Sequence, residues 1–377
     1  MPDSSHIKKP GRIAFFLLNF SGGGIERVNI NLANELARQG HAIDIVVAHN
    51  SGEFAGRVDP LVTIINLQQA RAYQCLWPLL RYLRERRPSV LFTCFPTLNL
   101  VAISANLLAG STTRIVPVEH MPVSVDRHEN TNRLPRLCYA LYPLFYRLVS
   151  EVVVNCEDAA ADFRREFPSL ASKVQVLYNP VVSPEILTLA ARPLPADPFF
   201  DEASNVPVLL GAGRLTRQKN FPLLLRAFAL VRDARPCKLV IVGGRGEDRD
   251  ALQKLSRELG VEHDVHFSGF VENPFMYFKR ASLFVLSSIY ETLPTVLIEA
   301  LACGTGAVAT PCFGVGEILQ RGTLGTIIAD FQPDTLADAI LHALDHPVAP
   351  QACMKRAQEF AVTACAARYV RLIEKAP

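Results

Sequence analysis

The sequence lacks the features of several large protein classes. It contains no run of the roughly eighteen apolar residues that a membrane-spanning helix requires, and its first ten residues, MPDSSHIKKP, lack the apolar core of a secretion signal. Apolar residues make up 49% of the chain, charged residues 20%, and the net charge is only +3, which argues against a disordered chain and against a dedicated nucleic-acid-binding protein. We expect a globular cytoplasmic protein, or one that rests peripherally on the inner face of a membrane.

The nine cysteines are not arranged as a disulfide framework or a zinc site. Their number is odd and no C-x-x-C pair occurs, so we expect reduced and mostly buried thiols, as in cytoplasmic proteins. No histidine or carboxylate is placed around Cys303 or Cys312 as a catalytic thiol would require.

Length and periodicity predict two α/β domains. A chain of 377 residues is longer than a single domain with one hydrophobic core usually is. In each half, short apolar runs alternate with segments whose apolar residues have helical spacing, which is the pattern of a doubly wound parallel sheet. A proline-rich segment separates the halves. The predicted parts are an amino-terminal Rossmann-like domain of residues 1–182, a linker of residues 183–206, a carboxyl-terminal Rossmann-like domain of residues 207–362, and a last helix of residues 363–377.

Residues 283–304, LFVLSSIYETLPTVLIEALACG, are the most informative stretch. A buried strand leads into a turn that carries Glu291, and Pro294 then opens a helix that carries Glu299. Open α/β sheets bind ligands at the carboxyl ends of strands, where Glu291 lies. The first-turn N–H groups that can bind an anion belong to Thr295, Val296 and Leu297. The stretch therefore predicts a site for a ligand with a polar ring and a phosphate.

A basic loop precedes another helix of the second half. Arg214 and Lys219 follow Gly213 and come just before Asn220, the expected helix cap. Positive charge at a helix amino terminus opposes the macrodipole unless a polyanion lies between them. The planar fork of Arg214 and the point charge of Lys219 suit a diphosphate, and the alternative is that both are solvated surface charges.

The first half offers a glycine loop and a histidine. Gly23 and Gly24 follow the first strand, but Arg27 stands where a dinucleotide-binding loop requires glycine. We expect these glycines to let a substrate approach the backbone, or else to form a tight turn. His120 follows another strand and is either a site residue or a structural histidine.

Two basic segments predict contact with an anionic membrane surface. Residues 71–87 contain five arginines and one glutamate, and residues 127–147 contain four arginines and one glutamate. The aromatic residues interleaved with them are Trp77, Tyr82, Tyr139, Tyr142 and Tyr146. The alternative is that the apolar stripes face the core and the arginines are solvated.

With these residues described, the chain resembles family 4 of the retaining, nucleotide-sugar-dependent glycosyltransferases. This family has the GT-B architecture, in which two Rossmann-like domains face each other across a cleft. The resemblance covers nearly the whole chain and is strongest over residues 211–319; its most specific signal is Glu291 and Glu299, separated by seven residues. Pro294 and Gly306 depart from the commoner residues of the family, and residues 312–317 match its glycine-rich loop only loosely.

The resemblance implies a role for each candidate residue. It implies that Glu291 contacts donor-sugar hydroxyls, that Glu299 contacts the ribose, and that His120 lines the sugar site. It implies that Arg214 and Lys219 hold the diphosphate and that Gly23 and Gly24 face it. Gly213, beside the basic loop, is expected among the donor-binding residues, together with the first-turn N–H groups named above. It places the nucleotide base against the backbone around Gly269 and Phe270, and returns the last helix to the first domain.

The implied activity is transfer of a sugar from a nucleotide diphosphate, with UDP-hexose or UDP-N-acetylhexosamine favoured, to a hydroxyl of a glycan or of a polyprenyl- or other lipid-linked acceptor. Such a reaction belongs to polysaccharide, lipid-linked oligosaccharide or glycolipid biosynthesis. It needs no metal and no cofactor, and no nucleic acid partner is expected. The alternatives are a nucleotide-sugar epimerase on the same fold, a non-catalytic nucleotide-sugar-binding protein and, disfavoured by Arg27, a dehydrogenase.

Overall fold

The computed structural model describes residues 11–21, 23–129, 133–194, 198–200, 205–244, 246 and 248–375. Outside the described residues lie the first ten residues, which were expected not to form a secretion signal, and Gly22 of the glycine loop. Residues 195–197 and 201–204 of the predicted linker also lie outside them. The chain divides into two compact units, residues 1–180 with 362–377, and residues 181–361.

Each unit is built on one parallel sheet. The strands are short, mostly apolar runs, and many are buried along their whole length, as expected where helices cover both faces of a sheet. In chain order they are β1 (Ile13–Leu17), β2 (Ile43–Val47), β3 (Thr63–Asn66), β4 (Val90–Cys94), β5 (Arg114–Glu119), β6 (Val152–Val154), β7 (Val174–Val176), β8 (Val208–Ala212), β9 (Lys238–Val242), β10 (Val265–Gly269), β11 (Leu283–Leu286), β12 (Ala307–Ala309) and β13 (Gly325–Ile327).

The helices between the strands are mostly amphipathic, so that one stripe faces a sheet and the other faces solvent. They are α1 (Gly24–Arg38), α2 (Leu76–Arg86), α3 (Pro96–Ala109), α4 (Val123–Glu129), α5 (Arg133–Phe145), α6 (Glu157–Glu166), α7 (Ile186–Ala190), α8 (Phe221–Ala234), α9 (Arg249–Glu258), α10 (Phe275–Arg280), α11 (Thr295–Ala302), α12 (Val315–Ile318), α13 (Pro333–Asp345), α14 (Pro350–Ala357) and α15 (Val362–Glu374).

Both sheets have a doubly wound strand order. The first runs β3-β2-β1-β4-β5-β6-β7 and the second β10-β9-β8-β11-β12-β13. In each, the chain winds outward from the first strand and then returns to its other side, so the direction of winding reverses between β1 and β4 and between β8 and β11. Such a reversal leaves a crevice at the carboxyl ends of the two central strands. The predicted fold class, two Rossmann-like α/β domains, is confirmed.

The first core includes a contribution from the end of the chain. Val28, Leu32 and Leu36 recur along α1 at helical spacing and are buried. Tyr369 of α15 packs with an edge-to-face ring contact against Phe92 of β4, and α15 packs against α1. The last helix therefore lies in the first unit.

The segment predicted as a linker is attached to the second unit over much of its described length. Helix α7 packs against α10, and Asn273 and Arg280 donate hydrogen bonds to the backbone carbonyls of Leu189 and Ala190. The ring of Phe200 contacts that of Tyr277. Apolar residues among the prolines give this segment a surface to pack with.

All nine cysteines are buried thiols. Among the described residues, no helix combines the length and the apolar composition needed to cross a bilayer.

Candidate functional site

The basic loop and the Glu291 turn meet at the reversal point of the second sheet. The basic loop follows β8 and the Glu291 turn follows β11, and these two strands pair directly, with Leu209 opposite Leu283 and Leu210 opposite Phe284. The carboxyl ends of the two strands are therefore neighbours, although about seventy residues separate them in sequence.

Lys219 and Glu291 form an ion pair at this point. The Nζ of Lys219 lies 2.6 Å from Oε1 of Glu291, and the side chains are only 13% and 12% exposed. The hydroxyl of buried Ser288 donates a second hydrogen bond to the same carboxylate oxygen, at 2.8 Å. A lysine ammonium has three N–H donors, so this pair leaves donors for an anion.

The two loops are also joined through their backbones. The hydroxyl of Ser287 donates to the carbonyl of Lys219 at 2.8 Å, and the N–H of Ile289 donates to the carbonyl of Gln218 at 2.8 Å. The side-chain amide of Gln218 in turn donates to the carbonyl of Tyr290. These contacts hold the carboxylate and the ammonium in register.

Gly213 is required by the path of the Lys219 side chain. Its φ is +146°, and a Cβ there would lie 2.7 Å from Cε and 3.1 Å from Cδ of Lys219. Lys219 therefore crosses the bare backbone of Gly213 on its way to Glu291. The sequence analysis expected this glycine among the donor-binding residues, and in the structure it makes room for the lysine.

Arg214 lies on the same loop but is exposed, and its guanidinium makes no ion pair with any described residue. Asn220 precedes α8 as predicted but does not cap it through its side chain; it has a left-handed backbone instead, with φ +48°. Pro222 stands in the first turn of α8, as expected. The Arg214 side chain, which has no ion-pair partner in the described part of the chain and lies on the loop of the partly buried Lys219–Glu291 pair, is available to a ligand.

Helix α11 begins directly after the Glu291 turn and supplies backbone donors. Thr295 and Val296 occupy its first two positions, where N–H groups have no partner within the helix. The N–H of Leu297 donates to the carbonyl of Pro294 at 3.1 Å and is therefore engaged within the turn. Glu299 lies one turn further on and is buried.

Gly269 and Phe270 lie at the end of β10, two strands away from β8 in the same sheet. Gly269 has φ +75°, and its carbonyl accepts a hydrogen bond from the N–H of Gly243 at 3.0 Å. A Cβ on Gly244 would collide with the backbone of Phe270. The ring of Phe270 is 67% exposed, which is unusual for a phenylalanine and suits a surface on which a planar group stacks.

Cys312 contacts the Glu291 turn, which the sequence did not indicate. Its Sγ lies 3.1 Å from the carbonyl of Ser288, and the hydroxyl of Thr310 donates to the same carbonyl at 2.6 Å. Burial raises the pKa of Cys312 to about 12, so the thiol stays protonated and supports the turn instead of acting as a nucleophile. Gly314, with φ +72°, packs against the carbonyl of Thr292 in the same turn.

His120 lies at the carboxyl end of β5 in the first unit and is partly buried. Its Nδ1 lies 3.3 Å from Nδ2 of Asn155. Burial lowers the pKa of His120 to about 4, because the imidazolium loses its contact with water. The ring is therefore neutral at physiological pH.

A buried polar network lies beside His120, and the sequence analysis missed it. Glu119 is buried; its Oε1 accepts hydrogen bonds from the hydroxyl of Tyr146 at 2.6 Å and from Nδ2 of Asn99 at 3.1 Å. The hydroxyl of Thr93 donates to Oδ1 of Asn99 at 2.6 Å. Burial raises the pKa of Glu119 to about 7, although the hydrogen bonds from Tyr146, Tyr142 and Asn99 favour the carboxylate. The sequence feature that could have indicated this network is the acidic residue directly before the candidate histidine.

The predicted glycine loop follows β1 and opens α1. A Cβ on Gly23 would collide with the carboxylate of Glu26, whereas a Cβ on Gly24 would meet nothing within 4 Å. The side chain of Glu26 therefore occupies the space above Gly23, whereas the space above Gly24 is open to an approaching group. Gly24 begins α1, which follows β1, and His120 comes directly after β5 in the same unit, with β4 between those two strands.

The aromatic residues assigned to a membrane surface are mostly core residues, and that part of the prediction is wrong. Tyr82, Tyr139, Tyr142 and Tyr146 are at most 4% exposed, because their hydroxyls find acceptors inside the unit, such as Asp44 for Tyr82 and Asp126 for Tyr139. Trp77, at 69% exposed, is the exception.

Two family descriptions match the chain, one to each half. "Glycosyltransferase Family 4" matches residues 22–183, and "Glycosyl transferases group 1" matches residues 197–360. Among curated proteins, an uncharacterised glycosyltransferase of Methanocaldococcus jannaschii is 28% identical over 260 residues, which are 65% of this chain and 63% of the relative.

Two Campylobacter jejuni enzymes are also similar. One, named as an N-acetylgalactosamine-N,N'-diacetylbacillosaminyl-diphospho-undecaprenol 4-alpha-N-acetylgalactosaminyltransferase, is 29% identical over 56% of this chain and 54% of its own length. The other, an alpha-1,4-N-acetyl-D-galactosaminyltransferase acting on a diphospho-undecaprenol-linked glycan, is 26% identical over 77% of this chain and 76% of its own length. The chain thus spans less than two thirds of the Methanocaldococcus protein and of the first Campylobacter enzyme.

The fold matches solved structures over almost its full length. Anabaena HepE in complex with UDP superposes with a TM-score of 0.79 at 18% identity, covering 97% of this chain and all of HepE. The lipopolysaccharide outer core galactosyltransferase WaaB superposes with a TM-score of 0.76 at 19% identity, covering 96% and 99% of the two chains. With two matched family descriptions that together take in residues 22–183 and 197–360, and with this fold, the chain belongs to glycosyltransferase family 4 of the GT-B fold class.

Proposed function

We propose that the protein is a retaining glycosyltransferase that moves a sugar from a nucleotide diphosphate to a hydroxyl of a glycan or lipid-linked acceptor. The observation that carries the proposal is the Lys219–Glu291 ion pair at the reversal point of the second sheet, with Arg214 exposed on the same loop. A carboxylate for sugar hydroxyls and two cations for phosphates converge there.

The second unit supplies the groups that the donor requires. The guanidinium of Arg214, the remaining donors of Lys219 and the first N–H groups of α11 would bind the diphosphate. Glu291, held by Lys219 and Ser288, would accept hydrogen bonds from the sugar. Phe270 and the backbone of Gly269 would contact the base, and buried Glu299 would bind the ribose.

The proposed chemistry uses the leaving group as its own base. The bond from the anomeric carbon to the diphosphate oxygen breaks, the acceptor oxygen bonds to that carbon on the same face, and the acceptor proton passes to the departing phosphate oxygen. The developing negative charge would be stabilised by Arg214 and Lys219, so we propose that no metal is required. His120, neutral at physiological pH, would serve as a hydrogen-bonding group toward sugar hydroxyls and not as a charge.

The comparisons support the choice of substrates. The names of both Campylobacter relatives contain a diphospho-undecaprenol-linked glycan, which supports a lipid-linked acceptor and hence work at a membrane surface. The HepE structures hold UDP and UDP-glucose, which supports a UDP-sugar donor. We propose UDP-hexose or UDP-N-acetylhexosamine, and a role in polysaccharide or lipid-linked oligosaccharide biosynthesis.

A thermal-shift series with UDP, GDP and NAD at equal concentrations tests the donor site. A ligand that binds only the folded protein stabilises it by about 2.7 kcal/mol at a hundredfold excess over its dissociation constant. We expect a shift with UDP and little or none with NAD; a shift with NAD alone would indicate a dehydrogenase. Turnover of the UDP-sugar without acceptor to an isomeric UDP-sugar would indicate an epimerase, and binding without turnover a non-catalytic protein.

The variant Arg214→Ala tests the catalytic assignment. Loss of one stabiliser of the leaving charge should lower kcat by about 10²–10³. The free energy of unfolding should change by less than about 0.5 kcal/mol, because the side chain is exposed and unpaired among the described residues. Arg226→Ala, which removes an exposed arginine of α8, is the matched control. Turnover like that of the wild type in Arg214→Ala would overturn the assignment.

A further inference from the structure

Helix α5 leaves an apolar stripe outside the core of the first unit. Its buried side is made by Cys138, Tyr139 and Tyr142, and the opposite side by leucines. The exposed leucines, between 37% and 63% accessible, are Leu134, Leu137, Leu141, Leu144 and, just beyond the helix, Leu148. Their spacing of three and four residues places them along one line of a helix.

Single exposed leucines are common on protein surfaces, but a continuous line of five is not. Such a stripe marks an interaction surface, and the charges near it limit the kind of partner that can bind there.

The charged residues of the stripe segment itself, residues 133–148, are all positive. Arg136 and Arg147 are exposed, and residues 133–148 contain no aspartate or glutamate. Helix α3, which packs against α5, also contains no acidic residue and exposes Leu107 and Leu108 near its end. A second copy of the chain would set these arginines against each other, whereas an anionic surface would attract them.

We propose that the leucine stripe of α5 docks the protein on an anionic lipid bilayer. The helix would lie in the plane of the interface, with the leucines among the acyl chains and Arg136 and Arg147 at the headgroups. The inference rests on the proposed lipid-linked acceptor, since docking brings the enzyme to the surface that presents such a molecule. It replaces the tyrosines expected from the sequence with leucines as the inserted residues.

Co-sedimentation of the full chain with vesicles tests the proposal. We expect binding to vesicles of phosphatidylglycerol and phosphatidylcholine in about equal parts, weaker binding to phosphatidylcholine alone, and a decrease at high salt. The triple variant Leu137→Gln, Leu141→Gln, Leu144→Gln should lose roughly tenfold in partition for each leucine removed. The control variant Leu61→Gln, Leu187→Gln, which changes exposed leucines elsewhere, should bind like the wild type.

A charge variant gives a second, independent arm. Arg136→Gln with Arg147→Gln should lower partition into anionic vesicles by about fivefold per arginine and leave partition into neutral vesicles unchanged. A thermal shift with UDP, measured on every variant, separates failure of docking from failure of the donor site.

Three results would overturn the proposal. The first is the absence of wild-type binding to anionic vesicles, and the second is wild-type partition in both the leucine and the arginine variants. The third is a lipid-free dimer of the wild type that becomes a monomer in the leucine variant, which would assign the stripe to a second copy of the chain.

Discussion

Replacing Glu119 with glutamine should change how the stability of the protein depends on pH. Glu119 is buried and hydrogen-bonded to Tyr146 and Asn99, and burial raises its pKa from 4.5 to about 7. Between these two values the folded protein holds a proton that the unfolded chain has released. The contribution of Glu119 to stability is therefore fully present below pH 4.5 and is lost as the pH rises to 7.

The size of this effect follows from the pKa shift. One pKa unit corresponds to 1.36 kcal/mol, so the shift of Glu119 corresponds to a change on the order of 3 kcal/mol across the window. His120 acts in the opposite direction: its pKa falls from 6.5 to about 4, so its contribution is lost as the pH falls through that range. In the wild type the two neighbours largely offset each other between pH 4.5 and 6.5.

Urea unfolding of the wild type and Glu119→Gln between pH 4.5 and 8 separates the two contributions. The difference in free energy of unfolding, wild type minus variant, should be largest at pH 4.5, shrink by on the order of 3 kcal/mol by pH 7, and stay constant above it. For His120→Gln, the same difference should grow with pH between 4.5 and 6.5. A difference for Glu119→Gln that does not change with pH would refute the assignment of a protonated, buried Glu119.

Two further predictions concern the donor site. Gly213→Ala should destabilise the second unit by about 1–3 kcal/mol and weaken UDP binding, because alanine is strained at this backbone conformation and its Cβ displaces Lys219. Urea unfolding and UDP titration measure the two effects. The control Gly56→Ala, where a Cβ meets nothing within 4 Å, should change neither stability nor UDP binding. Turnover should be unchanged by EDTA, and a loss of activity that Mg²⁺ restores would contradict the metal-independent mechanism.

The local parts of the donor site were predictable from the sequence. An apolar run, a turn with Glu291, a proline and a helical run are consecutive, so their order is readable without tertiary information. The adjacency of β8 and β11 could not be predicted from the sequence, because strand order depends on pairing between distant segments. The supporting contacts of Ser288 and Cys312 follow from that adjacency, and no local pattern marks them.

The roles of individual glycines were less predictable, because a glycine is explained by what passes over it. From the sequence, Gly213 was expected to bind the donor, and Gly23 was expected to let a substrate approach the backbone. In the structure their missing side chains are filled by Lys219 and Glu26 of the same chain. Gly24 alone of these three has open space around its Cα, so the approach of a substrate to the backbone stays a prediction for that position.

Helix α5 shows why periodicity cannot choose between two apolar faces. Tyrosines and leucines both recur along it at helical spacing, and a preference for aromatic residues at membrane surfaces favoured the tyrosines. A buried tyrosine requires an acceptor for its hydroxyl, and here Asp126 and Glu119, on other elements of the unit, provide it. Leucine has no such requirement, so the leucine face of the helix is the one left exposed. The position of the proposed docking surface therefore follows from where the hydrogen-bond acceptors lie.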